Sequence, residues 1–373
     1  MGEVGDRAMS PKASLLVNGP GELWGWARPL CRVMSLRGWT VSIHLLPCPF
    51  ASGLESEAAA RIPGVSSVKG PEGPIKTLIS LMAHKADLVV QLGGDLAFGR
   101  AMAAFQSVPL ACYSYGDKKG LSRCHMVATA FDSMASSMKG LVSVTGDLVS
   151  DGLDMDTHRS PWSDYPGDRL VFFPGSRPSI REAAREYLVE TVSILRSMRE
   201  FQFVSLLSPF SLEEEVKRWE ERGLNPFTGG TGAVLEGADL AVTQPGTNTL
   251  ELMHRAVPAL VAVPFSFIRK IPLGGLKGMV LSLPGGAALK EKVLRKKAAN
   301  RRGYLAWPNR ISGRELFPEM VGDISPQDLA KGIDRLLRDR DRLEEVRGAL
   351  RAMAPGGSPA SIFCDGLERL IIK

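Results

Sequence analysis

The chain has 373 residues, 44% of them hydrophobic and 23% charged, close to the average for globular proteins, which excludes a disordered, collagen-like or coiled-coil chain. Its length is enough for two or three domains with sizeable cores. The formal charge of +6 is uneven. Residues 266–314 carry twelve Lys or Arg against the single acid Glu291, a net +11, which leaves −5 for the rest of the chain. One segment, not the whole molecule, is therefore basic, and such a segment suits a phosphate, an anionic membrane or a nucleic acid.

In chain order, short apolar runs alternate with segments of helical period, the pattern of βαβ units around a parallel sheet. The first half predicts strands over Ser14–Asn18, Thr40–Leu46, Asp87–Leu92, Pro109–Tyr113, His125–Thr129 and Leu141–Val144, and helices over Trp24–Arg37, Pro74–His84 and Leu96–Gln106. Residues 150–168, rich in Asp, Ser, Pro and Gly, show neither period and read as a linker. A second series follows, with strands Arg169–Phe173, Phe201–Leu207, Asp239–Thr243 and Ala259–Val263 and helices Ile180–Arg199, Leu212–Arg222 and Thr247–Arg255. The tail reads as two helices, Pro326–Arg351 and Ser358–Ile371. The fold expected is α/β, two Rossmann-like doubly wound domains facing a cleft. The domains expected are 1–165, 166–355, and a terminal helix in 356–373 that packs back on the first. Ligands of open α/β sheets bind at the carboxyl ends of the strands, so the strand-to-helix turns are where chemistry belongs.

Four turns stand out. The first is NGPGELWGW, residues 18–26. Gly19 and Gly21 permit close backbone approach, Glu22 falls at the mouth of the cleft, and Trp24 with Trp26 suits a sugar or acyl surface; alternatively the glycines only shape the turn and the tryptophans fill core. In the second, QLGGDLAFG, Gly93 and Gly94 leave Asp95 at a strand terminus, as a base or as the cap of the next helix. The third, FPGSR, joins Gly175, Ser176 and Arg177 into a cradle for a diphosphate at a helix N-terminus, without the Lys-Ser/Thr of a P-loop. The fourth, QPGTNTLE, follows a strand with Gly246, Thr247, Asn248 and Thr249 and then Glu251, a density of small hydrogen-bonding groups that suits a nucleotide diphosphate-sugar.

FPGSR, QPGTNTLE, Pro308-Asn309 and Pro318-Glu319, in this order and spacing, resemble the lipid-A-disaccharide synthase family of inverting GT-B glycosyltransferases. The resemblance runs from about residue 14 to 355 and is stronger in the second half. It implies transfer of an acylated glucosamine unit from a UDP-sugar to an acylated glucosamine 1-phosphate with release of UDP. Arg177, Thr247, Thr249, Glu251 and Asn309 would then contact UDP, and Asp95 or Glu22 would deprotonate the acceptor hydroxyl. The chain departs from the family at Pro245, where a serine is usual, and in Leu23-Trp24-Gly25-Trp26, which replaces the end of a GEASGD-like turn. The acid that usually follows PGSR is absent from Pro178-Ser179-Ile180-Arg181. UDP-N-acetylglucosamine 2-epimerases and UDP-sugar hydrolases share such a nucleotide-binding half and need no lipid acceptor. A related glycosyltransferase with another acceptor, or a non-enzymatic nucleotide-sugar binder, is a further alternative.

Five scattered cysteines without a CxxC pair, and five scattered histidines, point to no disulfide framework and no protein-held metal, and the only substrate-like cofactor expected is the UDP-sugar itself. The longest run without a formal charge, residues 38–54, is too short to span a bilayer, and the first residues lack a secretory pattern. Lys290, Arg295, Lys296, Lys297, Arg301 and Arg302, behind an apolar and glycine-rich stretch, suit an anionic membrane surface better than nucleic acid. The location expected is cytoplasmic, on the inner face of the cell membrane.

Overall fold

The computed structural model describes residues 10–48, 53–156, 158–164, 167–209, 211–268, 295, 303–354 and 356–372. The chain divides into two compact units, Met1–Gly152 with Gly357–Lys373, and Leu153–Gly356. Each is built on its own parallel sheet.

The first sheet has seven strands: β1 (Lys12–Val17), β2 (Thr40–Leu45), β3 (Val65–Lys69), β4 (Leu88–Leu92), β5 (Leu110–Tyr113), β6 (Met126–Thr129) and β7 (Ser143–Val144). Their order is β3-β2-β1-β4-β5-β6-β7, so the winding direction reverses between β1 and β4. That pair is central and covered on both faces, which is why LLV and LVVQL read as continuous apolar runs without alternation. The second sheet has six strands: β8 (Asp168–Phe172), β9 (Phe201–Leu206), β10 (Pro226–Phe227), β11 (Leu240–Thr243), β12 (Ala259–Pro264) and β13 (Glu319–Gly322). Their order, β10-β9-β8-β11-β12-β13, reverses between β8 and β11. Phe172, Leu188, Val192, Trp219, Val242, Leu260 and Ile333 are among the buried residues of this unit's main core.

The doubly wound α/β reading holds for both halves. The strands the sequence pattern missed, β3, β10 and β13, are short and half-exposed edge strands with too few buried side chains to show a period. Two helix boundaries also differ. The first helix starts at Pro20, whose fixed φ suits a first helical position, and it contains a π turn at Leu23–Ala27. The stretch 326–351 is two helices, Pro326–Arg338 and Arg340–Met353. Asp339 leaves helical geometry between them, and its carboxylate caps the second by accepting from the Arg342 N–H at 3.1 Å.

Part of the linker-like 150–168 stretch packs with the second unit. Asp156 accepts from Gly232 N–H at 2.8 Å, His158 from Gly230 N–H at 3.0 Å, and the Trp162 indole donates to Val234 O at 2.9 Å. The last helix, Pro359–Ile371, lies on the first unit. There Asp151 accepts from the Ala360 N–H at 2.6 Å, and Arg37 reaches Asp365 at 2.5 Å and Glu368 at 3.1 Å.

Candidate active site

In the first unit, polar groups collect at the carboxyl ends of β1 and β4, where the winding reverses. β1 hands over to Asn18 and Gly19, and the helix that begins at Pro20 places Glu22 in its first turn. A Cβ on Gly19 would lie 2.9 Å from Glu22 Oε2, and one on Gly93 would lie 2.9 Å from Glu22 Cγ. The carboxyl therefore sits between two glycine turns that have no room for another side chain.

Gly93 and Gly94 take φ of +77° and +66°, which only glycine adopts without strain. Their carbonyls are held by two side chains: buried Gln91 donates to Gly93 O at 2.7 Å, and Lys118 donates to Gly94 O at 3.1 Å. Burial lifts the Glu22 carboxyl above its ordinary range; a hydrogen bond from its own backbone N–H and the Lys118 charge oppose that rise only in part. A carboxylate so placed is a better base than a hydrated one.

Asp95 lies one residue beyond the glycine pair. It is exposed and caps the Leu96–Gln106 helix, accepting from the Ala97 N–H at 2.9 Å. Of its two sequence readings, the cap is the one this geometry displays. Gly21 is exposed in the first helical turn. Trp24 is half-buried beneath the Arg28 guanidinium, 4.1 Å from its ring centre. Trp26 is buried and donates to the Tyr115 hydroxyl at 2.9 Å, and that hydroxyl donates to the fully buried Asp147 at 2.5 Å. The tryptophan pair thus packs inward and does not form a shared open surface, the core-filling alternative. Burial together with the Asp147 charge holds Tyr113 and Tyr115 neutral, with ionisation pushed well above the usual tyrosine range.

In the second unit the same topological position, the carboxyl ends of β8 and β11, carries the other two turns. After Phe172 the chain passes through Phe173 and Pro174 to Gly175, at φ +111°, where a Cβ would lie 3.0 Å from Ile180 and 3.3 Å from the Gln244 amide nitrogen. Ser176 is exposed, and Arg177 stands at the N-cap of the 19-residue helix Pro178–Arg196. Two side chains absent from the expected site fix this turn. Arg181, fully buried, donates to Ser176 O at 2.7 Å and forms a forked pair with Glu215 at 2.6 and 2.7 Å. Gln244 donates to Pro174 O at 3.0 Å and so ties the PGSR turn to the end of β11.

Beyond Gln244, Gly246, Thr247 and Asn248 are half-buried, and the Asn248–His254 helix begins with Thr247 at its cap and half-buried Glu251 in its first turn. Asn248 donates to Thr243 Oγ1 at 3.0 Å. Thr249 points into the protein: it is fully buried, donates to Gly246 O at 2.8 Å and accepts from Trp307 N–H at 3.2 Å. Asn309 is fully buried as well. Its amide nitrogen donates to Phe317 O at 2.7 Å and to Glu319 Oε1 at 3.0 Å, and its oxygen accepts from the N–H groups of Leu316 and Phe317, both at 2.8 Å. An asparagine amide has about four such positions, and all four are filled. The expectation that Asn309 contacts UDP is corrected accordingly. Together with Glu319, which also accepts from Leu305 and Ala306 N–H, it clasps the chain that supports the Thr-rich turn.

Among the described residues no group of three or more His, Cys, Asp or Glu is placed to hold a metal, and no helix is long and apolar enough to cross a membrane. Of the basic residues expected at a membrane, Lys290, Lys296, Lys297, Arg301 and Arg302 lie outside the described residues. Arg295 is described: it forks onto Asp323 at 2.5 and 2.9 Å and stacks on Phe265.

No protein-family profile matches the chain. Among curated proteins, the lipid-A-disaccharide synthase of Anaeromyxobacter dehalogenans (strain 2CP-1) is 27% identical over 199 residues, 52% of this chain and 46% of that protein. The lipid-A-disaccharide synthase of Alkalilimnicola ehrlichii is 27% identical over 217 residues, 54% of this chain and 50% of that protein. The sequence relatives are lipid-A-disaccharide synthases. The chain spans about half the length of these synthases, and at this identity it is a distant relative.

Solved structures extend the likeness over nearly the whole chain. MurG of Acinetobacter baumannii matches with a TM-score of 0.55 at 16% identity, covering 96% of this chain and 100% of that one. The calicheamicin glycosyltransferase CalG4 matches at 0.59 and 13%, covering 97% and 99%. UDP-GlcNAc 2-epimerase from Neisseria meningitidis matches at 0.56 and 13%, covering 96% and 100%. The fold is therefore the GT-B type, with two doubly wound parallel sheets, which glycosyltransferases share with epimerases.

Proposed function

We propose that the protein is an inverting glycosyltransferase that moves an acylated glucosamine-type unit from a UDP-sugar to an acylated glucosamine 1-phosphate, as the names of its synthase relatives suggest. The observation that carries this reading is Glu22, a carboxyl held between two glycine turns at the switch point of the first sheet, with its ionisation raised by burial. A sugar hydroxyl is a poor nucleophile near neutral pH and needs a base at hand. Glu22 takes the hydroxyl proton as the oxygen bonds to the anomeric carbon, and the bond from that carbon to the diphosphate breaks with its electron pair leaving on UDP. Lys118, whose ammonium keeps two further donors beyond Gly94 O, steadies the ionised carboxylate and offers a contact to an anionic acceptor.

The second unit supplies the donor site. Arg177, the N–H groups of the Gly175–Ser176 turn and the N-terminus of the helix behind it meet the negative charge that develops on the diphosphate. Thr247, Asn248 and Glu251 provide the hydroxyl, amide and carboxylate for the nucleoside, while Thr249 and Asn309 hold that turn in place. On this reading no resident metal is needed, because Arg177 and the N–H donors of the turn would meet the diphosphate charge. The +11 segment supports a peripheral position on an anionic membrane, on the inner face of the cell membrane, where a phosphorylated lipid acceptor would be met. Flotation with anionic vesicles at low salt tests that position, and failure to float refutes it.

The competing reading, suggested by the epimerase neighbours, is turnover of a UDP-sugar without any acceptor. Incubation of a panel of UDP-sugars with and without acylated glucosamine phosphate separates the two. Release of UDP only in the presence of the acceptor supports transfer. Equal consumption without it overturns transfer.

A further inference from the structure

The first unit carries a groove of about 780 Å³ that is lined by none of the site residues described above. It runs along the 11-residue Leu96–Gln106 helix and is closed on its other side by the residues leading into β5 and β6. The volume is that of a small-molecule site. Its helix side is apolar, and Ala97, Ala101 and Ala104, which recur at helical spacing, leave open the space that longer side chains would fill. Its walls are cationic. Arg100 and Arg123 both line it, and among the described residues neither is paired with a carboxylate.

Arg100 is half-buried and Arg123 is exposed; other half-buried arginines are paired, as Arg199 is with Asp168 and Arg347 with Asp239. Arg100 is held in place by Gly120: at φ +98° this residue has no Cβ, and one built there would lie 2.9 Å from the guanidinium. His125 adds a third polar group. Its Nδ1 accepts from Leu110 N–H at 3.0 Å, so in the neutral ring the proton sits on Nε2 and is available as a donor. No carboxylate lines the groove beside the two guanidinium groups, and an anion would meet their positive charge while using their fork geometry.

We propose that this groove binds a single-chain anionic amphiphile, with a phosphate head between Arg100 and Arg123 and an alkyl chain along the alanine face. The helix is ~16 Å long at 1.5 Å per residue, enough to run beside a medium-length chain. The site uses none of the residues assigned to the reaction and stands or falls independently of it.

Calorimetric titration of the full chain with octyl phosphate, octyl glucoside and inorganic phosphate tests the proposal. Octyl phosphate is expected to bind at least tenfold more tightly than either of the others. Joint Arg100→Gln and Arg123→Gln substitution is expected to weaken it at least tenfold, and Ala104→Trp, which fills the groove with both arginines intact, to do the same. UDP affinity and melting temperature stay unchanged in both variants. Octyl glucoside or inorganic phosphate binding as tightly as octyl phosphate overturns the proposal, and so does unaltered octyl phosphate binding in either variant.

Discussion

Replacing Arg181 by Met tests whether the PGSR turn is held from within. In the wild type the guanidinium is 1% exposed and makes three short charge-assisted bonds, two to Glu215 and one to Ser176 O. The substitution keeps an apolar stem in the core but leaves the Glu215 carboxylate, itself only 11% exposed, without its partner. Breaking such a pair from one side costs about 3–5 kcal/mol. For a unit of this size that corresponds to a fall of roughly 6–20 °C in melting temperature. Loss of the bond to Ser176 O also frees the turn that carries Arg177, so UDP affinity should fall even at temperatures where the variant is fully folded. Urea unfolding followed by calorimetric UDP titration reads both effects. The exposed Arg222–Glu186 pair is the control: Arg222→Ala should barely move the unfolding midpoint. A variant with wild-type stability and wild-type UDP affinity would refute the reasoning.

Three further outcomes follow from the geometry. Glu22→Gln should abolish transfer yet gain stability relative to wild type as pH rises, because a carboxyl with a raised folded pKa loses stability on ionising; paired melting curves from pH 4 to 8 that stay parallel would contradict this. Burial next to His84 depresses His44 from 6.5 to about 3, so the folded state resists protonation while the unfolded state takes up a proton below pH 6.5. Stability should therefore fall as pH drops from 6.5 towards 3, and His44→Gln should flatten that fall in urea midpoints. Asn309→Ala should cost about 1–3 kcal/mol, chiefly by stranding the buried N–H of Phe317, since that of Leu316 keeps Arg314 O, measured by urea unfolding, whereas a side chain that mainly bound UDP would leave stability intact.

The sheets were legible because their central strands are long apolar runs between Gly- and Asp-bearing turns, as in Leu88–Leu92 before Gly93-Gly94. The turns with chemical content were legible for the same reason, since glycine next to a carboxylate or an arginine at a strand end is a local signal. What local pattern does not carry is which side chain turns inward. Thr249 and Asn309 look like ligand-binding groups in sequence, yet Thr249 satisfies the backbone of Trp307, 58 residues on, and Asn309 that of Leu316 and Phe317, 7 and 8 residues on. Lys118 and Arg181 were missed because their value lies in partners at Gly94 and Glu215, 24 and 34 residues away. Lys118 had one usable signal, its place in the turn directly after β5. The resemblance to the synthases rests on PGSR, QPGTNTLE and PN–PE, and in this chain PGSR is held by Arg181 and PN–PE by the Asn309–Glu319 clasp.

The most direct test of the account is UDP release from a UDP-acyl-glucosamine donor, measured for wild type and Glu22→Gln with and without acylated glucosamine 1-phosphate. The account predicts acceptor-dependent release by wild type, rising with pH through a group that titrates above the ordinary carboxylate range, and none above background by the variant, with UDP affinity unchanged. Release that is independent of acceptor, or that survives Glu22→Gln with the same pH profile, would contradict it.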